Sequence, residues 1–135
     1  MRRAVFDVNV FVAALLSPSG APAQIVLQWT DGDVELIVSP LLLAELGRVA
    51  RRPKFRELID EADVAGLVDA LVEDATVIAD PPAESGLTAD PGDDYLVALA
   101  RAAAADCIVS GDAHLLELED PRPPVLTPRA FLDRD

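Results

Sequence analysis

An aspartate and an asparagine stand two residues apart in the segment FDVNVF, inside an apolar stretch that begins at Ala4. Asp7 and Asn9 supply hard oxygen atoms, which can bind a divalent cation or orient a neighbouring carboxylate. A strand that turns directly into a helix also commonly ends in a capping Asp or Asn, so Asn9 could simply cap a helix over residues 10–16. Asp7 would then have no clear role, and the question is which other acids could join it.

A second aspartate follows another strand-like segment. Asp112 lies in a Ser-Gly-Asp sequence just after residues 106–109. In open parallel sheets, functional groups collect beyond the carboxyl ends of the strands, which makes Asp7 and Asp112 candidates for one crevice. Ser-Gly-Asp is equally typical of a turn followed by a helix cap, and by itself it indicates no function.

A glutamate borders the apolar face of the helix predicted over residues 40–52. Residues three and four apart share a helix face, which places Glu45 beside Leu42 and Val49. The alternative is an exposed ion pair with Arg48, an interaction that stabilises a helix by only about 0.2–0.5 kcal/mol.

Two adjacent aspartates begin the helix predicted over residues 93–104. Helical geometry places Asp93 on the apolar stripe with Val97 and Ala100, whereas Asp94 lies roughly a quarter-turn away. Asp93 is therefore the better site candidate, although it could be only an N-cap, and Asp94 could be a solvated acid that suits the helix dipole. The sequence therefore leaves both Asp93 and Asp94 as candidates for the third site acid, with Asp93 preferred.

Four acids thus fall at strand ends or on the inward side of helices: Asp7, Glu45, Asp93 and Asp112. Carboxylates gathered in one crevice repel by ~1 kcal/mol per pair in water, and several-fold more at an effective dielectric constant of about 20. A fold keeps such a cluster when a divalent cation or shared protons relieve the repulsion. Oxygen ligands suit Mg²⁺ or Mn²⁺, and a sequence with one histidine and one cysteine does not suggest a zinc site.

Strand-like and helical patterns alternate along the chain, which indicates a parallel sheet covered on both faces. The predicted strands are residues 3–7, 34–38, 75–79, 106–109 and 124–126. The predicted helices are residues 10–16, 21–31, 40–52, 54–60, 62–74, 93–104, 113–118 and 128–133. A loop rich in proline and glycine runs from Asp80 to Gly92, and 135 residues with 51% apolar content predict a single domain over 1–135.

Acidic residues outnumber basic residues by 24 to 11, which gives a net charge of −13. This balance argues against binding nucleic acid by broad electrostatic attraction and favours a basic protein partner or metal cations. Five basic residues are nevertheless concentrated in RVARRPKFR, which could hold a phosphate backbone or could be a solvated helix end. The candidates for contact with an RNA backbone are Arg48, Arg51, Arg52 and Lys54.

The N-terminal apolar stretch imitates a secretory signal, but Asp7 and Asn9 interrupt it. The uninterrupted part, residues 10–16, is at the lower limit for a signal and far too short to span a membrane. We therefore expect a cytoplasmic protein without a membrane anchor.

The acids and their surroundings together resemble the PIN domain family, the metal-dependent ribonuclease fold of VapC-type toxins in bacterial and archaeal toxin–antitoxin pairs. The segments that carry the resemblance are FDVNVFVAALL, SPLLLAELGRVARRPKF and ADPGDDYLVALARAAAADCIVSGDAHLL. They span nearly the whole chain and are most similar to the toxin–antitoxin branch of the family. The resemblance implies a three-layer α/β/α sandwich with a central, mostly parallel five-stranded sheet.

The resemblance also implies roles for individual residues. Asp7, Glu45, Asp93 and Asp112 would form the acidic site, with Asp7 and Asp93 as direct ligands of one or two Mg²⁺ or Mn²⁺ ions. Asn9 and Ser110 would be polar groups that orient the carboxylates, although Ser110 stands where threonine is common in the family. The implied activity is hydrolysis of RNA, with a small antitoxin as partner and a homodimer as assembly.

Other classes fit the sequence less well. A haloacid-dehalogenase-type phosphatase needs a second aspartate at the position of Asn9, and a response-regulator receiver needs a lysine after a late strand, whereas the only lysine is Lys54. His114 has no second histidine with which to form an acid–base pair. A PIN domain that has lost catalysis and only binds a nucleic acid or protein partner stays open.

Overall fold

The computed structural model describes residues 1–88 and 90–134. Ala89, inside the loop predicted from Asp80 to Gly92, and Asp135, in the domain predicted over 1–135, lie outside the described residues. Within the described residues five strands form one sheet: β1 (Arg2–Phe6), β2 (Val34–Val38), β3 (Thr76–Val77), β4 (Cys107–Val109) and β5 (Val125–Leu126).

Helices connect these strands. They are α1 (Val8–Leu16), α2 (Ala21–Thr30), α3 (Pro40–Ala50), α4 (Glu61–Asp74), α5 (Asp94–Ala102), α6 (Ala113–Leu116) and α7 (Pro128–Asp133). Single 3₁₀ turns lie at Pro53–Phe55 and Pro91–Asp93. Proline after a capping Ser39 or Thr127 begins α3 and α7, because proline has the backbone angle of the first helical turn and its missing N–H costs nothing there.

The strand order is β3-β2-β1-β4-β5, and every neighbouring pair is parallel. The order runs outward from β1 in both directions, and parallel crossovers are right-handed, so helices that cross on the two sides of β1 cover opposite faces of the sheet. The predicted α/β class is confirmed, and the sheet is parallel throughout rather than mostly parallel. The change of direction next to β1 creates a crevice at the carboxyl ends of β1 and β4.

The core is built around β1. Ala4, Val5 and Phe6 are fully buried because a central parallel strand is covered on both faces. The Phe6 ring lies 5.8 Å from that of Phe11 and 5.6 Å from that of Phe131, measured between centroids. These contacts fix the end of β1 against α1 and α7, and therefore fix the position of the residue that follows Phe6.

Several predicted boundaries differ from the observed ones. Helix 54–60 was a wrong prediction, since only the 3₁₀ turn Pro53–Phe55 forms there. The helix predicted over 10–16 begins earlier, at Val8, because Asp7 rather than Asn9 is its cap. The helix predicted to begin at residue 93 begins at Asp94. The strand predicted over residues 75–79 is shorter than expected and consists of two residues, Thr76–Val77.

Among the described residues no single helix is both long and apolar enough to cross a membrane. The helices α1 and α2 pass that test only as a pair, and they are bent by 105° relative to each other.

Candidate functional site

The centre of the candidate site is set by two neighbouring strands. Phe6 of β1 pairs with Val109 of β4, so the residues that follow them, Asp7 and Ser110, emerge side by side. The Asp7 backbone N–H donates to the Val109 carbonyl at 2.9 Å. The Ser110 hydroxyl donates to Asp7 Oδ2 at 2.8 Å, and the Ser110 side chain is fully buried. Strand pairing therefore determines where the Asp7 carboxylate lies.

Ser110 also connects Asp7 to Asp112. The Asp112 backbone N–H donates to Ser110 Oγ at 3.0 Å. Asp112 in turn caps α6, because its Oδ1 accepts the His114 backbone N–H at 2.9 Å. The capping alternative is thus correct for Asp112, yet its second carboxylate oxygen is left for other partners.

Asp7 likewise combines a cap with burial. Its Oδ1 accepts the Asn9 backbone N–H at 3.3 Å, and the residue is 3% exposed. Burial raises the pKa of Asp7, hydrogen bonds from Ser110 and Asn9 oppose that rise, and the charge of Asp112 adds to it. The Asn9 side chain itself is exposed, and it is the backbone of Asn9 that contacts the carboxylate.

Asp93 lies at the end of the 3₁₀ turn that precedes α5. Its Oδ2 atom is buried and accepts no hydrogen bond from residues 1–88 or 90–134. The pKa of Asp93 is raised to about 7, mainly by burial and additionally by the charges of Asp7, Asp112 and Asp90. The Asp93 side chain does not cap α5 within the described part of the chain, so capping does not account for this carboxylate.

Asp94 has a different environment. It is 5% exposed and accepts three hydrogen bonds: from the Gly86 N–H at 3.2 Å, the Thr88 N–H at 2.8 Å and the Thr88 hydroxyl at 2.8 Å. Gly86 has φ of 78°, a conformation that residues with a Cβ rarely adopt. The interpretation of Asp94 as a solvated acid was wrong, because residues 86–88 lie against its side chain and supply these three donors.

Glu45 lies on α3, where the sequence placed it beside the apolar face, and it is partly exposed. Both of its carboxylate oxygens accept hydrogen bonds from the Arg48 guanidinium, at 3.1 and 2.9 Å. These hydrogen bonds are the main reason that the pKa of Glu45 is lowered. The ion-pair alternative is therefore what the structure contains, and Glu45 interacts with Arg48 rather than with the other three acids.

The basic cluster near Glu45 is partly neutralised. Arg48 binds Glu45, and Arg51 Nε lies 2.9 Å from a carboxylate oxygen of Glu61. Lys54 Nζ lies 5.0 Å from the centroid of the Phe55 ring. Arg52 is exposed, and its charge makes a small contribution to the lowered pKa of Glu45.

Tyr95 is the residue that sequence reasoning missed. Burial raises the pKa of its phenol, and the charges of Asp7, Glu45, Asp93 and Asp80 add to that rise. The phenol of Tyr95 is therefore near enough to Glu45, Asp7 and Asp93 for their charges to act on it. The available signal was its place immediately after the two aspartates, in the first turn of α5.

The donors at this site fit a hard divalent cation. Asp7, Asp93 and Asp112 offer oxygen atoms only, and neighbouring acids contribute to the raised pKa values of Asp7 and Asp93. Asp93 Oδ2 accepts no hydrogen bond from the described residues. No group of three or more Asp, Glu, His or Cys side chains in residues 1–88 and 90–134 has already converged to metal-binding geometry. An ion bound here would require the carboxylates to rotate until their oxygens converge.

Comparison of the sequence with known protein families shows the family to which this chain belongs. The profile of the PIN domain matches residues 3–114, a span that contains all four predicted site acids, and the chain belongs to the PIN domain family. Members of this family are generally nucleases, and generally use divalent metals.

The chain is also similar to one protein of known sequence and to two solved structures. The chain is 27% identical over 118 residues to the uncharacterized protein MJ1680 of Methanocaldococcus jannaschii, which covers 87% of this chain and 76% of that protein. The fold of the present chain is similar to that of VapBC2 from Rickettsia felis bound to a DNA fragment from its promoter. The TM-score is 0.64 at 14% identity, and the match covers 93% of this chain and 98% of that one. The fold is also similar to that of PAE2754 from Pyrobaculum aerophilum, with a TM-score of 0.65, 16% identity, and coverage of 98% and 87%.

Proposed function

We propose that this chain is one PIN domain that hydrolyses RNA phosphodiester bonds with Mg²⁺ or Mn²⁺. The observation that carries the proposal is the Asp93 carboxylate, which is pushed to a pKa of about 7 by burial and by the neighbouring acids, and whose Oδ2 finds no donor among the described residues. A fold retains such a costly arrangement when a cation relieves it.

Asp7 and Asp93 are the proposed direct ligands, with Asp112 as a ligand of a second ion or through water. A bound divalent ion would activate a water molecule and stabilise negative charge on the phosphorane-like transition state. Ser110 fixes Asp7 and Asp112 relative to each other, because it donates to the Asp7 carboxylate and accepts the Asp112 backbone N–H. The backbone N–H of Asn9 donates to the other carboxylate oxygen of Asp7.

Glu45 has a conditional role in this proposal. It can serve as a ligand or position a water molecule only after it releases Arg48, which now occupies both of its oxygens. A phosphate group that arrives at the site offers Arg48 an alternative anionic partner, and the exchange would free Glu45. Arg48, Arg51, Arg52 and Lys54 are the proposed contacts to the RNA backbone. Among the described residues Arg48 and Arg51 form ion pairs, whereas Arg52 and Lys54 form none.

The proposed biological role is the toxin of a type II toxin–antitoxin pair. Similarity in fold to VapBC2 from Rickettsia felis supports it, and a net charge of −13 favours a small basic partner. A homodimer and a cytoplasmic location belong to the same proposal. Light scattering of the purified chain, alone and with the product of an adjacent small gene, tests both assemblies.

A second candidate function is a binding module with weak catalysis. Two observations favour it: Glu45 is neutralised by Arg48, and the acids among the described residues have not converged to metal-binding geometry. This alternative predicts a folded protein that binds RNA or a protein partner but leaves RNA intact.

The deciding experiment is cleavage of diverse RNAs by purified protein with Mg²⁺, Mn²⁺ or EDTA. We expect cleavage that depends on the metal and is lost in Asp7→Asn and Asp93→Asn, whereas the exposed control Asp69→Asn keeps it. Metal-independent cleavage that survives both substitutions would indicate a contaminating ribonuclease. No cleavage by folded protein would favour the binding module.

A further inference from the structure

A small cleft lies beside the acidic site and has no role in the function proposed so far. Its volume is about 160 Å³, and it opens between the start of α3, the segment 80–84 and α5. Most of its walls are apolar: Leu41, Pro81, Pro82, Pro91, Tyr95 and Ala98. It is smaller than the roughly 300–1,000 Å³ typical of small-molecule pockets, so it suits one flat ring system rather than a whole nucleotide.

Tyr95 connects this cleft to the acids. Its side chain lines the cleft, and its phenol is influenced by the charges of Asp7 and Asp93. Of the two aspartates that precede Tyr95, Asp94 lines the cleft and Asp93 belongs to the acidic site. A group in the cleft is therefore next to whatever occupies the acidic site.

The acidic side chains that line the cleft are hydrogen-bond acceptors. Asp80 uses Oδ2 to accept the Leu41 backbone N–H at 2.9 Å, and its other oxygen can accept a bond from a ligand. Glu84 is exposed at the rim. Asp94 is already engaged with Gly86 and Thr88. Two carboxylates repel a phosphate group, but they accept hydrogen bonds from amino and ring N–H groups.

We propose that this cleft binds one nucleobase of the RNA substrate, adjacent to the phosphate at the acidic site. The inference rests on the proposed ribonuclease function and names a subsite for it. Prolines and the Tyr95 ring supply faces for stacking, as aromatic side chains do in sequence-specific recognition of single-stranded RNA. Guanine is the preferred base, since its ring N–H and amino group are two adjacent donors that match one carboxylate. Uracil presents a single donor between two carbonyl oxygens, and these oxygens would be repelled by a carboxylate.

The first test measures base selectivity during cleavage. Short RNAs that differ only in the base next to the cleaved bond are compared in single-turnover reactions with Mn²⁺. We expect wild type to prefer guanine over uracil by about tenfold, a ratio typical of one good bidentate contact. The ratio should fall to about twofold in Glu84→Gln and in Asp80→Asn, while the exposed glutamate control on α4, Glu73→Gln, keeps the wild-type ratio. Wild-type selectivity in both cleft variants, or no base preference in wild type, overturns the proposal and leaves the ribonuclease function standing.

The second test does not depend on cleavage. Amide resonances of Leu41, Glu84, Tyr95 and Ala98 are followed by NMR as guanosine monophosphate, uridine monophosphate or inorganic phosphate is added without metal. Larger shifts with guanosine monophosphate than with the other two, reduced in Glu84→Gln, support the subsite even if no RNA is cleaved. Equal shifts with all three ligands, or no shifts at these amides, overturn it.

Discussion

Asp7 and Glu45 show two ways in which a fold can hold a functional acid. Asp7 follows β1, and its position is fixed by strand pairing, by its role as a helix cap and by the buried hydroxyl of Ser110. Glu45 projects from a helix, where its longer side chain is partly exposed and free to turn to Arg48. The strand-end acid is held by the backbone, whereas the helix acid is held by a partner that can change.

The two adjacent aspartates at the start of α5 also differ in how their carboxylates are held. Asp94 is satisfied by three hydrogen bonds and orders the segment 86–88, whereas Asp93 faces other acids without a donor among the described residues. We expect Asp94 to stabilise the fold and Asp93 to destabilise the metal-free protein. Substitutions at the two positions should therefore have opposite effects on stability.

The largest effect is expected at the acid held by the backbone. Asp7→Asn keeps the size and the acceptor oxygen of the side chain but removes its charge, and we expect RNA cleavage to fall by about a thousandfold or more because a direct metal ligand is lost. Single-turnover cleavage with Mn²⁺ measures the effect. Activity within tenfold of wild type in a folded variant would remove Asp7 from the site.

The adjacent aspartates should respond in opposite directions. Asp94→Asn should lower the free energy of unfolding by about 1–3 kcal/mol, since hydrogen bonds to a buried charge are lost. Asp93→Asn should raise it in metal-free protein at pH 8 by about 1–2 kcal/mol, a value reduced for the partial solvent exposure of Asp93. Denaturation by urea in EDTA measures both changes. Destabilisation by both substitutions would show that Asp93 has a structural role.

The stability of metal-free protein should also depend on pH through Asp93. Its pKa is raised from 3.8 to about 7 in the folded protein, so between these values the folded state binds more protons than the unfolded state. The contribution of Asp93 to the free energy of unfolding therefore falls as the pH rises from about 4 to about 7, by about 1–2 kcal/mol after allowance for solvent screening. The difference between wild type and Asp93→Asn isolates this contribution from other groups. A difference that does not vary with pH would contradict the raised pKa.

A smaller effect is expected at the helix acid. Glu45→Gln should change the free energy of unfolding by no more than about 0.5 kcal/mol, because exposed ion pairs contribute little. Cleavage should fall about tenfold, since Glu45 acts only after it releases Arg48. Wild-type cleavage would exclude Glu45 from the site, whereas a loss as large as that of Asp7→Asn would show that it is an obligatory ligand.

Sequence patterns predict the parts of this structure that the backbone determines. Alternating elements predict the parallel sheet, and the positions of Asp7, Ser110 and Asp112 after strands predict that they meet. The pairing of Glu45 with Arg48 could be proposed but not decided, because both ion-paired and site-facing rotamers fit the same helix position. The burial of Asp94 could not be predicted, since its hydrogen-bond donors come from residues 86–88, in a loop whose path the sequence pattern does not specify.

The central claim is that Asp7 and Asp93 share a divalent cation. Crystals of the protein soaked in Mn²⁺ and measured near the manganese absorption edge test it most directly. We predict an anomalous peak at about 2.0–2.3 Å from carboxylate oxygens of both residues, the range for oxygen ligands of such ions, with the peak absent in Asp93→Asn. Manganese bound elsewhere, or no peak at the site in crystals soaked at saturating Mn²⁺, would contradict the account.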